Sequence, residues 1–100
     1  MYCKTFRTRL TEEGMAAFEE FVEKKYKPLI SRQPGFKGAF FCSKAGYEFE
    51  MIMFWEEERN IHDWSANPEH KEIGKEIMPF YVNEVFQDIY EVKEAIALKF

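Results

Sequence analysis

The fold of this chain is decided by the stretch Tyr47-Glu48-Phe49-Glu50-Met51-Ile52-Met53-Phe54-Trp55. From Met51 to Trp55 every position is apolar. Successive side chains of a β-strand point to opposite faces, so a strand with one wet face alternates between apolar and polar residues. The sequence therefore predicts a strand over 47–55 whose second half is shielded from water on both faces.

A further strand is predicted at the start of the chain. Residues 2–10 alternate, with Tyr2, Phe6 and Leu10 on one side and Cys3 and Arg7 on the other. This period of two is typical of a strand that buries one face.

A long helix should follow this strand. Thr11 is the expected N-cap, and Glu12 and Glu13 stand at the positive end of the helix dipole. We expect Pro28 to kink or end the helix, because proline lacks an N–H and clashes with the preceding turn. The apolar stripe of the helix comprises Met15, Phe18, Phe21, Val22, Tyr26 and Leu29. A turn at 33–35, a strand over 36–43 and a hairpin turn at 44–46 complete the first half.

The second half contains a helical region broken in two. Residues 56–66 are predicted as a short helix with Ile61 and Trp64 directed inward. Asn67 followed by Pro68 indicates a new helix start, with asparagine as the N-cap and proline at the first helical position. The new helix places His70, Ile73 and Ile77 on one face, and Pro79 should end it. A last strand is predicted over 84–93, followed by an apolar tail over 95–100.

The order of elements is βαββαβ, which predicts an α+β, ferredoxin-like fold in one domain spanning residues 1–100. Right-handed crossovers place both helical regions on one face of a four-stranded antiparallel sheet. The other face then lacks a cover, although residues 51–55 indicate that it is dry. We expect a second copy of the chain to cover it, as a homodimer.

Composition excludes several classes of protein. The chain has 100 residues, a formal net charge of −4 and no basic stripe, so nucleic-acid binding is not expected. It has no apolar run long enough to span a membrane and no signal-peptide pattern at its start. Cys3 and Cys42 lie on different predicted strands, and we interpret them as free thiols in a reducing cytoplasm. No metal-binding motif is present.

Three segments carry a resemblance to a known family. They are Gln33-Pro34-Gly35-Phe36, Glu50-Met51-Ile52-Met53-Phe54-Trp55-Glu56 and Trp64-Ser65-Ala66-Asn67-Pro68-Glu69-His70. The chain resembles the antibiotic biosynthesis monooxygenase family over nearly its whole length. This resemblance implies a dimeric α/β barrel, in which two ferredoxin-like sheets pack face to face and the C-terminal tail reaches across to the partner. The family includes cofactor-free quinone-forming oxygenases, haem-degrading oxygenases, isomerase-like proteins and members without a known activity.

The resemblance also suggests a test for the haem-degrading branch. Its members have an asparagine on the first strand, a tryptophan on the broken helix and an axial histidine about ten residues further on. Trp64 fits, but the first-strand positions hold Phe6, Arg7 and Thr8, and position 74 is glycine. A haem iron without its axial ligand is poorly held. We therefore expect no cofactor, with haem as the disfavoured alternative.

Several residues have both a chemical and a structural interpretation. His70 is the candidate general base, or else a histidine packed at the rim of the core. Trp64 is a candidate catalytic residue that could stack on an aromatic ligand, or else it belongs to the core. Asn67 could bind a substrate oxygen, although the N-cap role explains it better. Tyr81, together with Phe80 and Tyr26, could line a pocket instead of filling the core.

Charged and sulfur-containing residues are also ambiguous. Arg7, or Arg9, could bind an anionic substrate, or could pair with Glu48, Glu50 or acids across the dimer. His62 and Asp63 are adjacent on a helix and point apart, so they are expected at the surface rather than as a dyad. Cys42 is expected to be a buried, inert strand thiol.

Three functions remain open from the sequence. The first is a cofactor-independent monooxygenase that deprotonates a small aromatic substrate and lets the anion react with oxygen. The second is a non-catalytic dimer that binds a small hydrophobic molecule, for example in a stress response. The third is haem binding or breakdown. The sequence leaves open whether His70, Trp64 and Arg7 converge on one cavity.

Overall fold

The structure is a computed structural model, and it describes residues 1–82 and 84–98. Its strands and helices follow one another in the predicted order. In chain order they are β1 (Tyr2–Arg9), α1 (Glu12–Phe21), a π-helical turn (Val22–Tyr26), α2 (Lys27–Ile30), β2 (Phe36–Lys44), β3 (Glu48–Trp55), α3 (Glu58–Ala66), α4 (Pro68–Gly74), a 3-10 turn (Met78–Phe80) and β4 (Phe86–Glu91).

The four strands form one antiparallel sheet in the order β2-β3-β1-β4. Phe6 lies opposite Met51 on β3 and opposite Gln87 on β4, so these three residues are on the same face of the sheet. The α+β, ferredoxin-like prediction is therefore confirmed. The sheet has a helix-covered face and an opposite face, here called the open face, that carries Phe40, Ile52, Phe54, Phe86 and Tyr90.

Strand β3 supplies much of the core. Phe49, Met51, Met53 and Trp55 are buried against the helices, and Trp55 has 0% of its surface exposed. The alternate residues of the apolar run, Ile52 and Phe54, are only partly buried on the open face. Within a single chain, therefore, one side of residues 51–55 is dry. That the other side is also dry stays a prediction about an assembly.

The first helical region begins as predicted and continues past Pro28. Thr11 caps α1, because its hydroxyl oxygen accepts a hydrogen bond from the Gly14 N–H at 2.9 Å. Pro28 does not end the helix, which runs on to Ile30. The π-helical turn before it widens the backbone, and the N–H of Lys27 donates to the carbonyl of Val22. An i→i+5 turn of this kind changes the carbonyl positions that a helical proline would otherwise clash with.

The second helical region is broken at the predicted place. Asn67 is the N-cap of α4, with its side-chain oxygen accepting from the N–H groups of Glu69 at 2.9 Å and His70 at 3.1 Å. Helix α4 ends at Gly74, before Pro79, which lies inside the 3-10 turn instead of terminating the helix. The shorter helix lets the chain turn back toward the sheet.

The end of the chain departs from the sequence prediction in length. Strand β4 covers Phe86–Glu91 and is shorter than the predicted 84–93. The tail residues Ile96 and Leu98 are exposed in the single chain, while Lys99 and Phe100 lie outside the described residues. Exchange of this tail with a partner stays a prediction. Across residues 1–82 and 84–98, no helix is both long and apolar enough to cross a membrane.

Candidate functional site

A cavity of about 290 Å³ lies between the helices and the helix-covered face of the sheet. Its floor is formed by strand residues and its walls by the two helical regions. Apolar and aromatic side chains predominate, with a few polar groups among them. The lining residues are Lys4, Phe6, Phe18, Phe21, Tyr26, Met51, Met53, Trp64, Ser65, His70, Gly74, Ile77, Tyr81 and Gln87.

His70 and Trp64 form a stacked pair in the wall of this cavity. Their ring centroids are 3.9 Å apart and the planes differ by 7°. The break at Asn67 makes this contact possible, because it brings the first turn of α4 back against the last turn of α3. The His70 Nδ1 atom is 2.8 Å from the backbone oxygen of Trp64.

This hydrogen bond determines which nitrogen of the His70 ring carries the hydrogen. A carbonyl oxygen can only accept, so Nδ1 must carry the hydrogen. In the neutral ring the lone pair then belongs to Nε2, which has no hydrogen-bond partner within the described part of the chain. Burial lowers the pKa of His70, the bond to Trp64 opposes this effect, and the charge of Lys4 lowers the pKa further. The imidazole is therefore neutral and has one nitrogen free to accept a proton.

Lys4 is a cavity residue that the sequence interpretation missed. It lies opposite Met53 on β3 and Ile89 on β4, on the helix-covered face. Its Nζ atom donates to the Ser65 hydroxyl at 3.2 Å, and burial lowers its pKa. The alternation of β1 could have identified it, because Lys4 has the same parity as Tyr2, Phe6 and Leu10.

Two tyrosines also line the cavity. Burial raises the pKa of Tyr81 to about 12, so its hydroxyl keeps its proton. Burial likewise raises the pKa of Tyr26, whose hydroxyl donates to the Met53 sulfur at 3.4 Å. Neither tyrosine is suited to act as a base near neutral pH, but both can donate hydrogen bonds. Tyr26 also contacts Trp64 and His70 edge-on, with centroid distances of 5.7 and 6.0 Å.

The candidate residues therefore separate into two groups. His70, Trp64 and Tyr81 share the cavity, whereas Arg7 does not. Arg7 is on the open face, 3.8 Å from Glu48 and 5.0 Å from the Phe86 ring centroid. The sequence left open whether His70, Trp64 and Arg7 share a cavity; in the structure Arg7 does not join the other two, because the parity of β1 directs it away from the helices. Arg9 likewise pairs with Glu48, at 3.8 Å.

Three other candidates are explained by local structure. Asn67 does not line the cavity, and besides capping α4 it donates to the Gln33 side chain at 3.3 Å. His62 is exposed and lies 3.1 Å from Glu58, one helical turn away. Cys42 is exposed on the open face, so its predicted burial is wrong for the single chain. In residues 1–82 and 84–98, no cluster of three or more His, Cys, Asp or Glu residues could hold a metal ion.

The fold and the cavity together define a ferredoxin-like α+β domain with a small aromatic-lined site between sheet and helices. The sequence profile of the antibiotic biosynthesis monooxygenase family matches residues 1–76. The chain belongs to this family, as its sequence motifs indicate. A comparison with curated proteins found no match.

Solved structures share the fold at low sequence identity. A protein from Deinococcus radiodurans, described as an antibiotic biosynthesis monooxygenase, has a TM-score of 0.83 at 15% identity and covers 99% of both chains. A mutant of SnoaB, a cofactor-independent oxygenase from Streptomyces nogalater, has a TM-score of 0.82 at 13% identity and covers 96% of both chains. The monooxygenase from the ActVA-Orf6 gene of Streptomyces coelicolor, in complex with Nanaomycin D, has a TM-score of 0.80 at 16% identity. It covers 98% of this chain and 92% of its own.

Proposed function

We propose that this protein is a cofactor-independent monooxygenase that acts on a small hydroxyaromatic molecule bound in the cavity. The observation that carries the proposal is the neutral imidazole of His70, held by Trp64 with Nε2 free, in the wall of an aromatic-lined cavity. A volume of about 290 Å³ is at the small end of ordinary ligand sites, which favours a compact ligand.

His70 would act as a general base in this reaction. Its Nε2 atom takes the hydroxyl proton of the substrate, leaving an electron-rich anion. That anion reduces oxygen directly: one oxygen atom becomes a ring carbonyl and the other leaves as water. The hydroxyl proton and one ring hydrogen end in that water, and the substrate supplies all four electrons. A phenol plus oxygen thus gives a quinone plus water, and the balance calls for no cofactor.

Other cavity residues would position the substrate. The wall of Phe18, Phe21 and Trp64 offers flat apolar surfaces for an aromatic ring. The protonated hydroxyl of Tyr81 can donate to a substrate oxygen. SnoaB is a cofactor-independent oxygenase and the ActVA-Orf6 protein is a monooxygenase, which supports oxygen chemistry without a resident cofactor in this family. Absence of haem from this protein stays a prediction.

The active form that we propose is a homodimer paired through the open face. Phe40, Phe86 and Tyr90 are exposed there in the single chain, beside partly buried Ile52 and Phe54. Exposed apolar side chains of this size on one sheet face are costly to leave in water, and an identical face is a matching cover. A cytoplasmic location accords with the two free cysteines but stays a prediction.

Oxygen uptake tests the catalytic proposal. We expect the protein to consume oxygen with members of a panel of phenols and dihydroxyaromatics, with one oxygen consumed per quinone formed and no release of hydrogen peroxide. Replacing the base with glutamine, His70→Gln, keeps a donor for the Trp64 carbonyl and should lower the rate about a hundred- to ten-thousand-fold. The control is His62→Gln, since His62 is exposed and does not line the cavity. Unchanged turnover in His70→Gln would exclude His70 as the base.

A further inference from the structure

Lys4 is a half-buried lysine in the lining of the cavity, and that lining contains no other Lys, Arg, Asp or Glu residue. The register of β1 places it on the helix-covered face, and burial lowers its pKa because the ammonium loses water. Most cavity residues around it are aromatic or aliphatic. Because Lys4 is half-buried and its bond to Ser65 is exposed, water solvates part of the ammonium, and polar or charged partners have to replace the hydration that burial removes.

The protein itself supplies little compensation for this charge. Lys4 has three N–H donors, and its one hydrogen bond among the described residues goes to the neutral Ser65 hydroxyl. No ion pair formed by residues 1–82 and 84–98 includes Lys4. The titratable groups that line the cavity with Lys4 are His70, Tyr26 and Tyr81, and the lining contains no Asp or Glu. An anionic ligand in the cavity can therefore bind Lys4 without competition from a carboxylate of the lining.

We propose that Lys4, together with Ser65, forms an anion-binding end of the cavity that holds the ionised oxygen of the ligand. The inference rests on the proposed function for the source of that anion, a hydroxyaromatic that loses its proton to His70. It goes further in naming the residue that selects the ligand. The site prefers aromatics with an acidic hydroxyl over neutral aromatics of the same shape.

The position of Lys4 beside His70 has two opposing electrostatic effects. Its charge stabilises the oxyanion that forms when the hydroxyl proton moves to Nε2. The same charge disfavours the imidazolium, and it lowers the pKa of His70. The base is therefore weak, so only a ligand whose hydroxyl is acidic, and is made more so by Lys4, will transfer its proton. This balance excludes weakly acidic alcohols.

The probe for this inference is para-nitrophenol, since its ionised form absorbs at longer wavelength than its neutral form. Its methyl ether, para-nitroanisole, has nearly the same shape and cannot ionise. We expect the wild-type protein to bind the phenol more tightly than the ether, and to lower the apparent pKa of the bound phenol. In Lys4→Met, binding of the phenolate should weaken about tenfold or more, as for a lost charge-assisted hydrogen bond, while the ether binds as before.

The control variants distinguish an effect of the Lys4 charge from an effect of side-chain packing and from an indirect effect through His70. Lys71→Met removes a lysine from the helix that carries His70, but Lys71 does not line the cavity, so binding should not change. Lys4→Arg keeps the charge and should keep the preference for the phenolate. Loss of Lys4 should raise the pKa of His70 and make it a stronger base. A weaker phenolate signal in Lys4→Met therefore cannot result from His70. Circular dichroism verifies that each variant is folded.

Equal phenolate binding by wild type and folded Lys4→Met would overturn the inference, as would equal affinity for phenol and ether or failure to bind either probe. Oxygen uptake distinguishes this result from failure of the proposed function. Lys4-dependent phenolate binding without oxygen uptake upholds the anion site and refutes the monooxygenase. Oxygen uptake that depends on His70, together with phenolate binding that does not depend on Lys4, upholds the monooxygenase and refutes the anion site.

Discussion

His70 is the candidate base, and three contacts hold it in place. Its backbone N–H is held by the Asn67 cap, its ring stacks on Trp64, and its Nδ1 donates to the Trp64 carbonyl. These contacts leave the ring few other orientations. Because the ring is also partly buried, protonation of Nε2 has a free-energy cost that an exposed histidine does not have. This cost links catalysis to the stability of the fold.

The stability of the protein should fall in acid partly because of His70. Burial lowers its pKa in the folded state below the ordinary histidine value of 6.5. An unfolded chain then binds a proton on this residue more readily than the folded chain does. The free energy of unfolding should decrease as the pH falls from about 6.5 towards the lower folded-state pKa, and His70 should add no pH dependence above that range.

Urea unfolding at a series of pH values measures this effect. Other groups titrate in the same range, so the difference between wild type and His70→Gln isolates the histidine. The two curves of unfolding free energy should converge as the pH falls below 6.5. His62→Gln is the control for the substitution itself, since His62 is exposed and does not line the cavity. Parallel curves for His70→Gln would contradict a lowered pKa.

Sequence patterns located some site residues and missed others for a clear reason. Helical periodicity placed Trp64 and His70 on inward faces, and both line the cavity. Strand parity was applied to Arg7, which faces away, but was not applied to Lys4, which faces inward. A lysine on an apolar face is easily taken for a surface residue, because a strand pattern does not show how far its side chain reaches. The stacking of His70 on Trp64 depends on the angle at the helix break, which a sequence pattern does not contain.

At the scale of elements, the helix boundaries coincide with capping residues and turns more closely than with the positions of prolines. Thr11 and Asn67 both cap helices where the sequence predicts. Pro28 was expected to kink or end a helix and Pro79 to end one, yet Pro28 lies within a helix that continues to Ile30 and Pro79 lies within a 3-10 turn. A π-helical turn adjusts the backbone before Pro28. That adjustment is set by the packing of Tyr26 and Leu29 into the core, and local sequence rules do not include such tertiary packing.

The turn at Gly35 connects the first helical region to β2 and allows a sharp prediction. Gly35 has φ +78°, and a methyl group there would overlap the side chain of Asn60. Asn60 Oδ1 accepts from the Glu57 N–H at 2.8 Å and so helps to start α3. Gly35→Ala therefore combines a left-handed backbone penalty of about 1–2 kcal/mol with a packing penalty of about 1–3 kcal/mol.

Gly46 provides the matched control for this turn. It has φ +87°, but the space around its position is empty to 4 Å. Gly46→Ala should cost the backbone penalty alone, about 1–2 kcal/mol. Urea unfolding should thus show Gly35→Ala to be the less stable variant by about 1–3 kcal/mol. Equal losses in the two variants would mean that Asn60 moves aside freely and that the capping contact adds no measurable stability.

At the scale of the whole molecule, the two faces of the sheet have different roles. The helix-covered face contains the core and the cavity, while the open face carries aromatic residues with no cover in the single chain. Tyr90, for example, has 55% of its surface exposed. Strands β3 and β1 lie side by side at the centre of the sheet. The five large apolar side chains of the open face form the kind of surface that proteins bury on association.

Substitution at the centre of the open face tests whether that face pairs two chains. Ile52 lies opposite Thr5 on β1 and Phe40 on β2, so a charge at position 52 would fall in the middle of the proposed interface. We expect wild type to behave in light scattering as a dimer, with twice the chain mass of 12.0 kDa, and Ile52→Glu as a monomer. Two unpaired carboxylates buried at an apolar interface would cost several kcal/mol. Met78→Glu is the control, because Met78 is 59% exposed in the 3-10 turn and lies outside the sheet. A wild-type protein that stays monomeric at micromolar concentration, or an Ile52→Glu variant that stays dimeric, would show that the open face is not the dimer interface.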